Sequence, residues 1–351
     1  MKMIKPAIEI NRIPDAANHD EVLMFLEKIG RTCYKSEDLI TETSCIRFIE
    51  NIRNRKHWAI LEHYIFTVSV PGWVFNDLTD ILYHMSEDPK VLLQMGYIHP
   101  TYWATATDEK YRHLVSFSAT AINNLMSSKE FVNSDCAGVT HLYRFMNDKY
   151  PELMYSCGET SEKYNPDIEF LTRDEIKALP EWLRQVHDFM SVKFTVDRGV
   201  THEMVRHRPA SFAQESTRYC NYSGGKFDGE ITVIIPSFFD TGMGEQSNSL
   251  VFEEWKYLCE HAERAYKKLL EMGAKPEQAR TVLPNSLKAE IVMTATLHEY
   301  NHFFAMRCSK AAHPQIREVA CPLLSYANSA ESYYEGMFEE NMHLVTGEEN
   351  N

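Results

Sequence analysis

The sequence predicts a chain that mixes β-strands with long helices, and three features carry that prediction. Tyr64 to Val70 (YIFTVSV) is dense in β-branched and aromatic residues and stops at Pro71-Gly72, the composition of a strand. Val192 to Val196 and Ile231 to Ile235 repeat it, the second halted by Pro236. The C-terminal third shows the other period. Val251, Trp255, Leu258, Ala262, Tyr266 and Leu269 recur at helical spacing, and Gly273 sits where a helix-ending glycine is expected.

The remaining elements follow the same rules. Residues 20–31 read as a helix with Val22, Phe25, Leu26 and Ile29 on one face. Pro276 opens a short helix, PEQARTVL, that Pro284 closes. A longer helix is expected from about Ser286 toward Phe304, and another from Pro314 through Leu324. Phe303, Phe304 and Met306 are expected in the core. The middle, roughly Asn76 to Met190, differs in character. It holds SEDPK, a mixed run from His113 to Met126 and a polar stretch from Cys157 to Asp167, and reads as an inserted, partly helical subdomain of unassigned role. The chain therefore divides into 1–75, an insertion 76–190, a continuation 191–340 and an acidic tail 341–351.

A chain of 351 residues can bury a large core, and 44% hydrophobic with 25% charged residues is ordinary for a globular protein. The net charge of −14 opposes loose binding to nucleic acid or anionic membranes. An anionic ligand then needs a local basic cluster. The eight cysteines are scattered without a CxxC pair, which fits reduced thiols better than disulfides or a zinc site. The N-terminus has no apolar signal core, and no stretch approaches the ~20 apolar residues of a membrane span. The expectation is a soluble, cytoplasmic protein.

The most informative stretch is Arg206 to Tyr219, RHRPASFAQESTRY. Val200, Met204 and Val205 suggest a helix entering it, and Pro209 disfavours helical geometry at Arg208. Cationic side chains then project where a helix meets a loop, followed by Ser211, Gln214, Glu215, Ser216, Thr217 and Arg218. Guanidinium forks bind phosphate in pairs of hydrogen bonds, and hydroxyls and loop amides add donors. A bare RHR is, by itself, an ordinary solvated basic turn. His202-Glu203-x3-His207 superficially suggests a zinc helix, but its histidines are five apart and leave a common face, so no metal is assigned. His57 and His63, read alone, are ordinary surface or core histidines, and Arg280 alone is a helix-surface charge. Ser216 has no base placed beside it, and Cys321-Pro322 reads as buried packing.

With all fourteen residues in view, Arg206-His207-Arg208, seven residues, Ser216 and then Arg218-Tyr219 resemble the RHR-x7-S signature of flavin-dependent thymidylate synthases. Three more segments are similar to that family's, in its order. They are Arg31-Thr32-Cys33-Tyr34, then His57-x4-Glu62-His63 before its strand, and Glu277-Gln278-Ala279-Arg280 with Leu283-Pro284. Ala305-Met306-Arg307 resembles its later arginine segment. The resemblance covers roughly 20–75 and 191–330. Departures are Ala59 where Ser or Thr is usual, Ile60 where proline is usual, and Ala312-His313-Pro314-Gln315-Ile316-Arg317 after Arg307.

The resemblance implies an α+β fold, a twisted and mainly antiparallel sheet flanked by long helices. It also implies a homotetramer whose active sites draw on more than one subunit. The implied reaction is reductive methylation of dUMP to dTMP, with FAD as cofactor and NADPH and methylenetetrahydrofolate as co-substrates. It places Glu203, Arg206, Gln214, Glu215, Ser216, Arg218, Arg280 and Arg307 at dUMP. It places His57, Arg206, His207, Arg208, Gln214, Thr296 and His302 at the flavin. Arg307 is the implied catalytic group, polarising uracil, and no cysteine nucleophile is implied. Two other readings compete: a non-catalytic flavin- or nucleotide-binding homologue, and a metal-dependent nucleotide phosphohydrolase built on the many histidines.

Overall fold

The computed structural model describes residues 1–86, 96–132, 136–155, 167–218, 220–224, 227–239 and 246–347, and of 130 and 246–249 the backbone. Tyr219, most of SEDPK, most of the polar stretch Cys157–Asp167 and the tail residues 348–351 lie outside the described residues. The chain opens with strands β1 (Lys2–Ile4) and β2 (Ala7–Ile10), then helices α1 (His19–Tyr34) and α2 (Ser44–Asn54). Helix α1 buries Val22, Leu23, Phe25, Leu26 and Ile29 along one face and ends at Lys35 in the left-handed region. Strand β3 (Ile65–Ser69) and helix α3 (Gly72–Ser86) follow.

The middle of the chain carries β4 (Ile98–Tyr102), β5 (His113–Ser118), α4 (Ala119–Met126), α5 (Ala137–Lys149) and β6 (Glu169–Phe170). Helices α6 (Arg173–Ala178) and α7 (Glu181–His187) complete it, α6 opened by a reciprocal cap between Thr172 and Glu175. These strands form a four-stranded antiparallel sheet in the order β4-β5-β3-β6, so the segment from 76 to 190 shares a sheet with residues 65–69.

From Phe189 the chain builds β7 (Phe189–Asp197), α8 (Arg198–Met204), β8 (Ser211–Gln214) and β9 (Thr232–Ile234). It continues with α9 (Gln246–Glu271) and α10 (Pro276–Ala279), the latter running into a 3-10 turn at Arg280–Val282. Strand β10 (Lys288–Thr296), α11 (Leu297–Arg307) and α12 (Pro314–Ala327) close the fold. The second sheet runs β2-β7-β10-β8, antiparallel throughout, with β7 and β10 in register from Lys288↔Asp197 to Thr296↔Phe189. Strands β1 and β9 form a separate parallel pair.

The helix expected from about Ser286 toward Phe304 is therefore corrected. Its first half is β10, and the helix begins only at Leu297. The reason is burial on both faces. Val292 belongs to the apolar cluster that contains α1 and β3, whereas Ile291, Met293 and Ala295 belong to the cluster that contains α11 and α12. A strand covered on both sides loses its polar-apolar alternation, so IVMTAT looks no different from a buried helical turn. Met306 is a smaller correction: Phe303 and Phe304 are fully buried, but Met306 is 52% exposed.

Two buried histidines tie the sheets to their surroundings. His63 Nδ1 meets Thr294 Oγ1 of β10 at 2.7 Å, and His187 Nδ1 meets Ser116 Oγ of β5 at 2.8 Å. Burial pushes both imidazoles down to about 3. The unfolded chain, with histidine near 6.5, takes up these protons first as the pH falls. Stability should therefore decline from about pH 6.5 toward 3, by on the order of a few kcal/mol per histidine. Denaturant midpoints at pH 7 and pH 4.5 check this, and His63→Gln should lessen the difference between them; a midpoint independent of pH would contradict it.

Candidate active site

Asp197 ends β7 and caps α8, its carboxylate accepting from Val200 N–H at 2.8 Å. The helix stops at Met204, and a last turn donates from His207 N–H to Met204 C=O. This places Glu203 and His207 beside the C-terminal end of α11, where Arg307 stands. Arg307 Nε donates to His207 Nε2 at 2.8 Å, one terminal nitrogen donates to Glu203 Oε2 at 3.0 Å and the other to Glu203 C=O at 2.8 Å. A guanidinium carries five N–H groups, and these bonds use three of them. Because His207 Nε2 accepts, its proton sits on Nδ1, which is buried with no partner. Burial, then Arg307 and His302, push His207 down to about 4, so it stays a neutral acceptor near pH 7.

The His302 ring meets that of His207 edge-on at 5.7 Å. It also lines a cavity of about 460 Å³ with Arg208, His298, Glu299, Ala305 and Glu340. Thr296 is buried and caps α11, accepting from Glu299 N–H at 3.4 Å.

A second constellation forms where β8 runs into residues 215–218. Glu215 is 1% exposed, and its carboxylate accepts from Lys288 Nζ at 2.8 Å, Tyr222 Oη at 3.2 Å and Glu290 N–H at 3.3 Å. Arg198 donates to the Glu215 carbonyl at 3.4 Å, and Lys35 donates to Glu290 at 2.8 Å. Burial raises the Glu290 carboxyl, but Lys288 and Lys35 outweigh it and hold it at about 2. Gln214 Nε2 donates to Thr201 Oγ1 of α8 at 2.9 Å, which joins this region to the helix bearing Glu203. Arg280 donates to Thr217 Oγ1 at 3.1 Å, and Ser216 Oγ accepts from Arg218 N–H at 3.3 Å. Arg206, Arg208, Arg218 and Arg280 are all exposed.

The N-terminal segments arrive at the same place. Ser216 N–H donates to Cys33 C=O at 3.1 Å, and Ser211 Oγ donates to the Glu62 carbonyl at 3.3 Å. Tyr34 Oη meets His57 Nδ1 at 2.7 Å beside an opening of about 400 Å³ lined by Cys33, Tyr34, Trp58, Ala59 and Phe212. Burial raises the Glu62 carboxyl above the usual range, with the Ser211 bond opposing.

Within one chain, then, the segments around Arg31–Tyr34, His57–His63, 211–218 and Arg280 meet, whereas Arg307 is held with Glu203, His207 and His302. Lys35, Arg198, Tyr222, Lys288 and Glu290 were not singled out from the sequence. Lys288 and Glu290 alternate at strand spacing, a signal hidden once that stretch is read as helix. Among the described residues, no group of three or more His, Cys, Asp and Glu side chains is placed to hold a metal ion. No described helix is long and apolar enough to cross a membrane.

Residues 155–330, half of the chain, match the protein family described as "Thymidylate synthase complementing protein". The chain belongs to this family. It is similar to the flavin-dependent thymidylate synthase of Pyrococcus abyssi, 33% identical over 165 residues, which is 45% of this chain and 64% of that protein. The enzyme of the same name from Pyrococcus horikoshii is 39% identical over 174 residues, 47% of this chain and 65% of that protein. That of Corynebacterium glutamicum is 30% identical over 203 residues, 52% and 76%. The chain thus spans just under two thirds of the length of the Pyrococcus relatives. The match contains Glu203, His207, Glu215, Arg280 and Arg307, but not Lys35 or His57.

Proposed function

We propose that the chain is an FAD-dependent thymidylate synthase that reductively methylates dUMP to dTMP, with methylenetetrahydrofolate giving the one-carbon unit and NADPH the reducing equivalents. The observation that supports it most is the meeting of four separate family-like segments around exposed guanidinium groups in a chain of net charge −14. Ser216, Arg218 and Arg280 would take the phosphate, with Arg206 reaching both nucleotide and flavin. The Glu215 carboxylate is already committed to Lys288 and Tyr222. Its part at dUMP would therefore be to fix the loop that presents Ser216 and Arg218. Gln214 would do the same through Thr201. Arg307 would donate its two remaining N–H groups to uracil and stabilise negative charge as the ring becomes nucleophilic.

The residues present fit a flavin. Arg208, His298 and His302 offer donors suited to a diphosphate, while Glu299 and Glu340 on the same cavity can accept from ribityl hydroxyls. The buried, unpartnered Nδ1–H of His207 beside His302 is a donor still lacking an acceptor. Tyr34, His57, Trp58 and Phe212 line the other opening with flat aromatic faces. When bound, the flavin supplies hydride-transfer chemistry, and the protein supplies position and charge. Thr296 would shape the site by capping α11.

The test is direct. Purified protein should be yellow, bleach with NADPH, and form dTMP from dUMP only when methylenetetrahydrofolate is present. Bound flavin without dTMP would favour a non-catalytic binding homologue, and chelator-sensitive phosphate release without flavin would favour a phosphohydrolase.

We also propose a homotetramer with shared sites, since Arg280 and Arg307 belong to separate constellations of one chain. Arg206→Ala and Arg307→Ala chains, each inactive alone, should regain part of the activity when mixed and reassembled. Tetramers shown to mix without any recovery would remove the shared-site arrangement.

A further inference from the structure

The opening beside Tyr34 and His57 takes part of its wall from Trp58, the first residue of the 3-10 turn Trp58–His63. Lys56, His57 and Ala59 around it are exposed, so its chain neighbours do little to fix the indole. Its position is set from elsewhere, by two residues of the segment 76–190. The Tyr155 ring lies against the indole, with centroids 4.2 Å apart and planes inclined by 43°. Thr120 of α4, itself buried, donates from Oγ1 to the Trp58 carbonyl at 3.2 Å.

Both contacts are backed by the same helix. Asn123, one turn after Thr120 and fully buried, accepts from Tyr155 N–H at 2.8 Å and donates to the Leu153 carbonyl at 2.9 Å. Tyr143 Oη donates to the Tyr155 carbonyl. The Tyr155 backbone is therefore held at its N–H and its C=O, with its ring set against Trp58. The Tyr155 hydroxyl is buried and has no hydrogen-bond partner among the described residues. The ring, not the hydroxyl, makes the contact.

We propose that Thr120 and Tyr155 are positioning residues that brace the Trp58 indole in the wall of the flavin opening, which gives the segment 76–190 a part in cofactor binding. The tie to flavin rests on the reading of this opening given above; the brace itself does not. His57 is held in a parallel way from α1, since Tyr34 Oη meets its Nδ1 at 2.7 Å and the two rings lie 19° from parallel. A loose indole would have to be ordered when a flat fused ring binds against it. Fixing it beforehand removes that entropic cost, so the brace acts on flavin affinity rather than on the chemical step.

Titration of flavin-stripped protein with FAD, followed by flavin fluorescence, tests this. Tyr155→Ala should weaken FAD binding roughly three- to tenfold, the size expected for the loss of one aromatic pair. Tyr155→Phe, which keeps the ring and drops only the unbonded hydroxyl, should bind FAD as the parent does. Thr120→Val should weaken binding less than Tyr155→Ala. In a Trp58→Ala background, Tyr155→Ala should cause no further loss, because the residue it positions is already gone. At saturating FAD, dTMP formation by Tyr155→Ala should return to the parent's kcat.

Without FAD, amide hydrogen exchange across residues 55–63 should quicken severalfold in Tyr155→Ala and Thr120→Val but not in Tyr155→Phe. Unchanged exchange in Tyr155→Ala would overturn the brace. Faster exchange with unchanged FAD affinity, or a further loss in the Trp58→Ala background, would overturn its tie to the flavin opening. Should Tyr155→Ala fail to fold, Thr120→Val carries both readouts, and no change in either would overturn the proposal. Protein that binds no FAD in any form would overturn the flavin reading, while the exchange result still decides the brace.

Discussion

Arg307→Ala should lower kcat/KM for dTMP formation by roughly 10²–10³-fold, about 3–4 kcal/mol, the usual loss when a preorganised donor to developing negative charge is removed. The structure shows how firmly the Arg307 guanidinium is held. Three of its N–H groups are bound to Glu203 and His207, so the guanidinium has one orientation before any ligand arrives. Lysine carries the charge but cannot reproduce a planar fork bonded on three sides, so Arg307→Lys should restore only a small part of the rate. A second readout separates this from a folding defect. Arg307 is one cause of the lowered His207 value, so its removal should move the His207 titration up from about 4, visible by NMR of the ring protons. A variant that folds, binds flavin and turns over like the parent would remove Arg307 from the chemistry.

Glu215→Ala should cost about 3 kcal/mol or more of stability, because it takes the buried carboxylate away from groups that remain. Lys288 is 12% exposed and keeps Glu290 as a partner, which holds the cost to the lower end of the range for broken buried pairs. Tyr222 has no such alternative among the described residues, its hydroxyl bonding to Glu215. Glu215→Gln preserves shape and one acceptor and should cost less. In both variants dUMP affinity should fall together with stability, since Ser216 and Arg218 hang from the same turn. Denaturant midpoints and calorimetry with dUMP check the pair of effects. Full stability in Glu215→Ala would show that the Lys288–Glu290–Lys35 chain of charges holds the loop unaided.

Much of the candidate site was legible in the sequence because many of its residues are neighbours in the chain. Arg206 to Arg218 announces a helix end, a proline and a run of donors in thirteen consecutive residues. The strands at Ile65–Ser69, Phe189–Asp197 and Thr232–Ile234 were visible for a similar reason, as dense β-branched runs bounded by turn-formers or prolines. What sequence could not show is what depends on long-range pairing. β10 lacks alternation because each of its faces meets a different cluster, and the Lys35–Glu290–Lys288–Glu215 chain joins residues up to 255 apart. Nor does any local pattern reveal that Arg307 and Arg280 fall into separate constellations of one protomer. That is a matter of where α11 lies against α8.

The position of β10 has a bearing on how the molecule comes apart. One strand serves as the common wall of two apolar compartments, so neither can loosen without exposing the backside of the other. Heat or denaturant should find no half-melted species in which α11 and α12 are shed while α1 and β3 stay intact, and amide protons on both sides of Val292 should exchange with solvent at the same slow pace.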